Sequence, residues 1–443
     1  MRDIDKQIFG LAIPAVVTNI TVPLLGMADL AIVGHMGNAV YIGAVAVGSM
    51  MFNVIYWIFG FLRMGTSGLT AQALGANDHR QVRHLLRQSI TAALIIATLM
   101  IVCQRAIFHA TTLIMQPDDT VSATVDTYFS ICVWGAPAVM GLYSLTGWFI
   151  GMQNTRIPMY VSIAQNITNL LVSITLVFGF GLRIEGVALG TMIAQWTGFG
   201  MALMWLKRSL AKVKDRDSDK PGMKWYHGML RFFAVNRDIF LRTLFLVMVN
   251  LFFTSFGSRQ GTLMLSANTL LLTLFTLTSF FLDGLAYAAE ALGGKYCGAA
   301  DRKTFSTLTR RLFLWGITVA IAFTLVFAFG GKPLLHLLTS EHDVISTALP
   351  YLPWAVAIPL AGVTAFLLDG LFIGLTATRP MLWSTALAAI VFFTLYFTLA
   401  PTLNNHALWL ALIAYLAMRG IVEMLMLRFF RLTRKTLCLP KDH

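Results

Sequence analysis

Along this chain, long apolar runs alternate with short polar breaks. Twelve runs are mostly apolar, at 8–33, 41–66, 86–108, 122–150, 157–181, 186–207, 238–257, 262–292, 304–330, 344–374, 380–401 and 405–429. Each is long enough, at about 20 residues or more, to cross the hydrocarbon of a bilayer as a helix. The breaks carry turn and charge signals, as at Gly75-Ala76-Asn77-Asp78, Gln116-Pro117-Asp118-Asp119, Gly298-Ala299-Ala300-Asp301 and Asn404-Asn405. Backbone polar groups inside lipid must be satisfied within the segment, so the pattern predicts an all-α integral membrane protein with twelve transmembrane helices.

The pattern also repeats. Gly147-Trp148-Phe149-Ile150-Gly151-Met152-Gln153-Asn154-Thr155-Arg156 resembles Gly370-Leu371-Phe372-Ile373-Gly374-Leu375-Thr376-Ala377-Thr378-Arg379, at an offset of 223. Gly75-Ala76-Asn77-Asp78 and Gly298-Ala299-Ala300-Asp301 share that offset. Two separated motifs at one spacing indicate a tandem duplication. Six spans per copy leave the copies in the same topology, giving two pseudo-symmetric six-helix lobes, an arrangement suited to alternating access. The expected division is 1–207, a basic linker at 208–237, and 238–443 ending in a short basic tail.

Composition sharpens the class. Of 443 residues, 57% are hydrophobic and 12% charged, against about 25% charged in a soluble domain. The net charge of +13 does not require nucleic acid, because no basic run interleaves with aromatics. With the N-terminus inside, 26 of the 33 Lys and Arg fall on the cytoplasmic side, as the positive-inside rule demands. Both termini are therefore expected in the cytoplasm of a prokaryote, in a multi-pass inner-membrane protein. The linker, with Lys212, Lys214, Arg216, Lys220 and Lys224, reads as a solvated basic loop beside anionic membrane lipids. Cys103, Cys132, Cys297 and Cys438 lack CxxC spacing and read as packing residues, not a zinc or disulfide framework.

Charges inside a bilayer are costly, so they are candidates for function. Asp29 stands in the apolar run Leu24-Leu25-Gly26-Met27-Ala28-Asp29-Leu30-Ala31-Ile32-Val33, without a basic residue three or four positions away. A carboxylate in apolar surroundings is disfavoured as an anion unless paired or hydrogen-bonded, which suits it to exchange protons. A cap near the outer interface is the structural alternative. Pro14 and Pro23 flank part of the same helix, and interior prolines permit bends. On the fifth span Asn166, Asn169 and Ser173 share a helix face, and Thr191 opens the sixth; these groups can bond a carboxylate or a substrate, or serve as interhelical glue. Asp283 and Glu290 lie on one face of the eighth span, and Asp369 is midway along the tenth. Arg63 is a possible counter-ion for any of the three. Arg419 and Glu423, four apart, read as a local pair. No acid is read in the seventh span. The 22 Met and 12% aromatics suit a plastic cavity for lipophilic molecules. There is no GxxxxGK[ST], HExxH or GxSxG in a catalytic setting, so neither an ATP-driven pump nor an enzyme is expected, and no cofactor or metal.

These motifs in this order resemble the multidrug and toxic compound extrusion (MATE) transporters, over nearly the whole chain. Pro14 and then Met27-Ala28-Asp29 through Gly34-His35-Met36-Gly37 resemble the family's opening helix. Gly65–Asp78 resembles the end of its second helix, and Ala288–Asp301 its repeat. Phe281-Leu282-Asp283-Gly284-Leu285-Ala286-Tyr287 with Glu290 is similar to the DinF-like branch. The resemblance implies a V-shaped bundle of two lobes, acting as a monomer, and cation-driven export of organic, often cationic, compounds. It makes Asp29 the coupling carboxylate, Asn169 and Thr191 its polar partners, and Pro14 the point at which the first helix bends. Ser173 stands where some members carry a second acid, which loads more onto Asp29. Asp369 matches an acidic position used by sodium-coupled relatives; without an acid on the seventh span, H⁺ is the expected coupling ion and Na⁺ the alternative. Flipping of lipid-linked precursors, or an intramembrane enzyme, are the competing functions.

Overall fold

The computed structural model describes residues 2–115, 119–212 and 228–432. Among these, all regular structure is helical, and twelve helical segments are long and apolar enough to cross a membrane. They run Asp3–Gly34, Val40–Gly75, His79–Val102, Val121–Gly151, Arg156–Gly179, Ile184–Ala211, Met229–Gly257, Thr262–Gly298, Arg302–Leu338, His342–Gly374, Thr378–Leu403 and Asn405–Phe429, and are numbered here as first to twelfth spans. Each overlaps one apolar run read from the sequence. The seventh span starts nine residues earlier than expected, because Met229–Arg237 is already helical. The basic residues Lys214, Arg216, Lys220 and Lys224, and the tail from 433 on, lie outside the described residues.

The duplication is visible in the backbone. The second, fourth, eighth and tenth spans all end with a residue in the left-handed region: Asn77 (φ 56°), Gln153 (63°), Ala300 (54°) and Thr376 (52°). Each ending carries the same pair of bonds. Asp78 N donates to Ala73 O (2.9 Å) and Asn77 N to Leu74 O (3.0 Å); Asp301 N donates to Tyr296 O (3.0 Å) and Ala300 N to Cys297 O (2.9 Å). This motif satisfies carbonyls that a helix end would otherwise orphan, and offsets the strain of a non-glycine residue at positive φ. The next helix then starts on a capping carboxylate, Asp78 accepting from Gln81 N (2.8 Å) and Asp301 from Thr304 N (3.0 Å).

The same offset governs the closest helix crossings. A Cβ on Gly147 would strike the Arg63 carbonyl, and one on Gly370 the Ala286 carbonyl. Gly151 and Gly374 likewise abut the carbonyls of Ser67 and Glu290. Small residues let the second and fourth spans, and the eighth and tenth, approach backbone to backbone. The fourth and tenth spans are accordingly the most internal, with 61% and 67% of their apolar windows buried against 22–44% elsewhere.

Residues 17–232 form one compact unit; residues 1–16 and 233–443 form the other. The boundary falls inside the first span at Val16/Val17, whereas the sequence division kept that whole span with the first copy. The physical reason is a set of contacts from its opening turns. Trp315 Nε1 donates to Asp5 Oδ1 (3.1 Å), the Trp315 ring packs edge-on to Phe9 (4.7 Å), Tyr296 OH donates to Gln7 (2.8 Å), and Gly284 makes room for Val16.

Candidate functional site

Within residues 17–232, the first, fifth and sixth spans converge on Asp29. The side chain is 1% exposed, on the helix face that also buries Val33, while Met27 faces outward. Asn169 Nδ2 donates to Asp29 Oδ1 (3.0 Å), and the Thr191 hydroxyl donates to Asp29 Oδ2 (2.8 Å). Asn169 Nδ2 is also 3.0 Å from Thr191 Oγ1, closing a three-residue ring. Both carboxylate oxygens are thus held by neutral donors, and Asp29 has no ion pair among the described residues. Burial makes the anion expensive, and the two bonds reduce that expense.

Asn169 sits at Asp29 because the fifth span repeats its buried face at Asn169 and Ser173, one helical turn apart. Ser173 is fully buried, and among the described residues neither its hydroxyl nor the Asn169 carbonyl oxygen has a hydrogen-bond partner. Gly190 on the sixth span is glycine because a Cβ there would meet Ser173. Asn166 turns elsewhere and donates to Ser162 O (3.0 Å), so it does not join the ring. The π-helical turn Thr175–Gly179 begins two residues after Ser173. Tyr128 and Cys132 of the fourth span, which the sequence did not single out as site residues, are buried in the same unit, Tyr128 OH 3.3 Å from Ser49 Oγ and Cys132 Sγ 3.7 Å from the Ala188 carbonyl oxygen. An aromatic and a cysteine in an apolar run gave no signal by themselves. Pro14 lies within the continuous helix Arg2–Gly34, two residues before the Val16/Val17 boundary.

The other unit carries a different cluster. Asp369 Oδ2 accepts from the Nη2 atoms of both Arg242 and Arg419, and all three residues are buried. This corrects two expectations. The counter-ions of Asp369 are Arg242 and Arg419 rather than Arg63, because the seventh, tenth and twelfth spans meet around it. Arg419 turns to Asp369 instead of pairing locally with Glu423, whose Oε1 accepts from the Ser384 hydroxyl (2.8 Å). Asp283 is half-buried on the eighth span. Glu290, 1% exposed, adjoins Gly374 through its backbone. Arg63, half-buried, follows a break in the second span at Phe59–Gly60.

The seventh span does carry an acid. Asp238 is buried and accepts from the Thr378 hydroxyl (3.1 Å) and from Arg237 (3.0 Å). It escaped notice because it opens the apolar run beside a basic residue, where a solvated end is the simpler reading. Cys297 is disulfide-bonded, which corrects the view that all four cysteines only pack; sequence spacing does not report distance in space. Among the described residues no group of three His, Cys, Asp or Glu is placed to hold a metal.

The MatE family model matches residues 14–175 and 239–398, one match on each copy of the duplication. The chain is 36% identical to DNA damage-inducible protein F of Escherichia coli K12, over 94% of this chain and 90% of that protein. It is 20% identical to the probable multidrug resistance protein NorM of Thermotoga maritima, over 96% and 92%. Among solved structures, a MATE transporter in the bent conformation superposes with a TM-score of 0.87 at 17% identity, covering 99% of this chain and 98% of that one. The bent form of the Vibrio cholerae MATE transporter VcmN gives 0.88 at 17% identity, covering 99% of each. With twelve spans, an internal repeat and family matches on both copies, the chain belongs to the MatE family of multidrug and toxic compound extrusion transporters, multi-pass membrane proteins that carry small organic substrates and are not enzymes.

Proposed function

We propose that this chain is a proton-coupled antiporter of lipophilic organic cations, with Asp29 as the group that exchanges proton for cargo. The observation that carries this reading is the state of Asp29: buried, bonded by two neutral donors, and without an ion pair among the described residues. A proton arriving from outside neutralises the carboxylate, which then no longer attracts a cation, and cargo leaves. Loss of the proton inward restores the anion and the affinity for cargo. Coupling follows because the two protonation states bind cargo differently. A bend of the first span near Pro14 accompanies the exchange; the division of that helix between the two compact units supports it.

Protons are favoured over sodium by the other cluster. Two guanidinium groups already occupy Asp369, so a further cation there would face their repulsion. The same engagement removes two embedded cations from any basic cavity that would serve a lipid-linked precursor. The protein works as a monomer in the inner membrane, with both termini in the cytoplasm; the surplus of Lys and Arg on that side supports the orientation.

The test is ethidium efflux from proteoliposomes with proton and sodium gradients imposed separately. Wild type responds to the proton gradient alone, and Asp29→Asn abolishes the response while keeping its thermal midpoint in detergent. Efflux that survives Asp29→Asn, or that follows sodium and fails with Asp369→Asn, overturns the proposal.

A further inference from the structure

At the ends of the eleventh and twelfth spans the structure has an apolar groove of about 670 Å³, lined by Arg379, Pro380, Trp383, Leu425, Met426 and Phe429. Its walls are large and open to the outside: Trp383 is 65% exposed and Phe429 61%. Arg379 stands at its rim. Arg428 neighbours Leu425 on the twelfth helix, three positions on. Neither arginine has a hydrogen bond or ion pair among the described residues.

The first copy shows why the groove is open. At the offset of 223, Trp383 corresponds to Tyr160 and Arg428 to Trp205. Tyr160 packs edge-on against Trp205 at 5.5 Å, bridging the fifth and sixth spans. Phe429 corresponds to Leu206, which is buried. In the second copy a cation replaces the aromatic partner, so the bridge is absent and the space between the helices remains. An apolar slot at a helix end, beside two guanidinium groups that have no partner among the described residues, matches a ligand with a negative head and a hydrocarbon tail. Arginine binds phosphate oxygens in a planar fork, and each basic residue near a membrane surface adds about 1 kcal/mol of attraction for anionic lipid.

We propose that this groove binds one anionic phospholipid, an acyl chain lying along Trp383, Leu425 and Phe429 and the phosphate held by Arg379 and Arg428. The site is separate from Asp29 and does not depend on the coupling mechanism.

Native mass spectrometry of the purified full-length protein tests it, with phosphatidylglycerol, phosphatidylcholine or inorganic phosphate added. Wild type retains one phosphatidylglycerol in preference to phosphatidylcholine, and inorganic phosphate does not displace it. Arg379→Gln and Arg428→Gln each weaken retention roughly fivefold. Arg428→Trp restores the aromatic bridge seen at Trp205 and removes the bound lipid. Equal retention of the two lipids, displacement by inorganic phosphate, or unchanged retention in the glutamine variants overturns the proposal. Arg379 and Arg428 are exposed, so the glutamine variants keep the fold and decide the matter even if Arg428→Trp does not; thermal midpoints in detergent verify that.

Discussion

Asp29, Asn169 and Thr191 sit on the first, fifth and sixth spans; 223 residues later their counterparts are Phe252, Phe392 and Ala414. Where the first copy closes a polar ring around a carboxylate, the second packs Phe252 edge-on against Phe392 (5.8 Å), Phe393 (4.9 Å) and Tyr396 (5.1 Å), with Phe256 stacked at 4.0 Å. The exchange runs the other way for the second cluster, since Asp369 corresponds to Thr146 and Arg419 to Trp196. The helix endings, the capping aspartates and the glycine crossings remain the same in both copies. The glycine crossings persist because a Cβ has no room there, and the helix endings persist as backbone geometry although Asn77, Gln153, Ala300 and Thr376 are four different residues. Interior side chains diverge freely as long as volume is filled and polar atoms are satisfied. One scaffold therefore holds a hydrogen-bonded buried carboxylate in one copy and an aromatic core with a separate ionic staple in the other.

The largest test of that contrast removes the staple. Asp369→Ala leaves Arg242 and Arg419 buried without their carboxylate and costs about 3–5 kcal/mol. Thr146→Ala, at the corresponding place, costs under about 1 kcal/mol. Thermal unfolding in detergent measures both, and similar losses would mean that Asp369 carries no special load. Next come the shared crossings. Gly147→Ala and Gly370→Ala each push a methyl group into a facing carbonyl and cost about 1–3 kcal/mol, equally in the two copies. A clear inequality would break the equivalence of the joints. Thr191→Val takes one of the two donors from Asp29 and is expected to cost about 1–2 kcal/mol while slowing ethidium efflux less than Asp29→Asn does. Efflux at the wild-type rate would show that the ring only positions structure.

The smallest effect concerns a helix cap outside the membrane. The Thr304 side chain, together with its amide, holds the Asp301 carboxyl below its ordinary value of 3.8. A carboxyl with a lowered value in the folded state stabilises at higher pH, and that contribution is lost as the pH falls through the folded value. Asp301→Ala therefore lowers the thermal midpoint slightly at neutral pH, and the gap from wild type closes as the buffer is taken below about 4. A gap that persists in acid would assign the effect to helix propensity instead of the charge.

Much of this was legible in the residues. Pro14, Asp29 and the Asn169 face were visible as polar or conformational exceptions in apolar runs. The partnership of Asn169 and Thr191 with Asp29 came from family resemblance, and Asn166, on the same stretch of helix, shows why spacing alone was insufficient: its side chain bonds back to its own helix. Arg242 stood out as an embedded charge, but its partner did not; Asp238 and Ser384 look ordinary within their own segments, and all three become informative only beside a residue more than thirty positions away.

Sequence by itself determined the twelve spans, since a run of apolar residues long enough to cross lipid must close its hydrogen bonds internally as a helix. It also determined the duplication, because the Gly147/Gly370 and Gly151/Gly374 crossings and the Asp78/Asp301 caps recur at one spacing. The tertiary structure decided which charges meet, which donors hold Asp29, and to which unit the opening turns of the first span belong. Those are distances between segments far apart in the chain, and one-dimensional periodicity carries no information about which faces of distant helices come together.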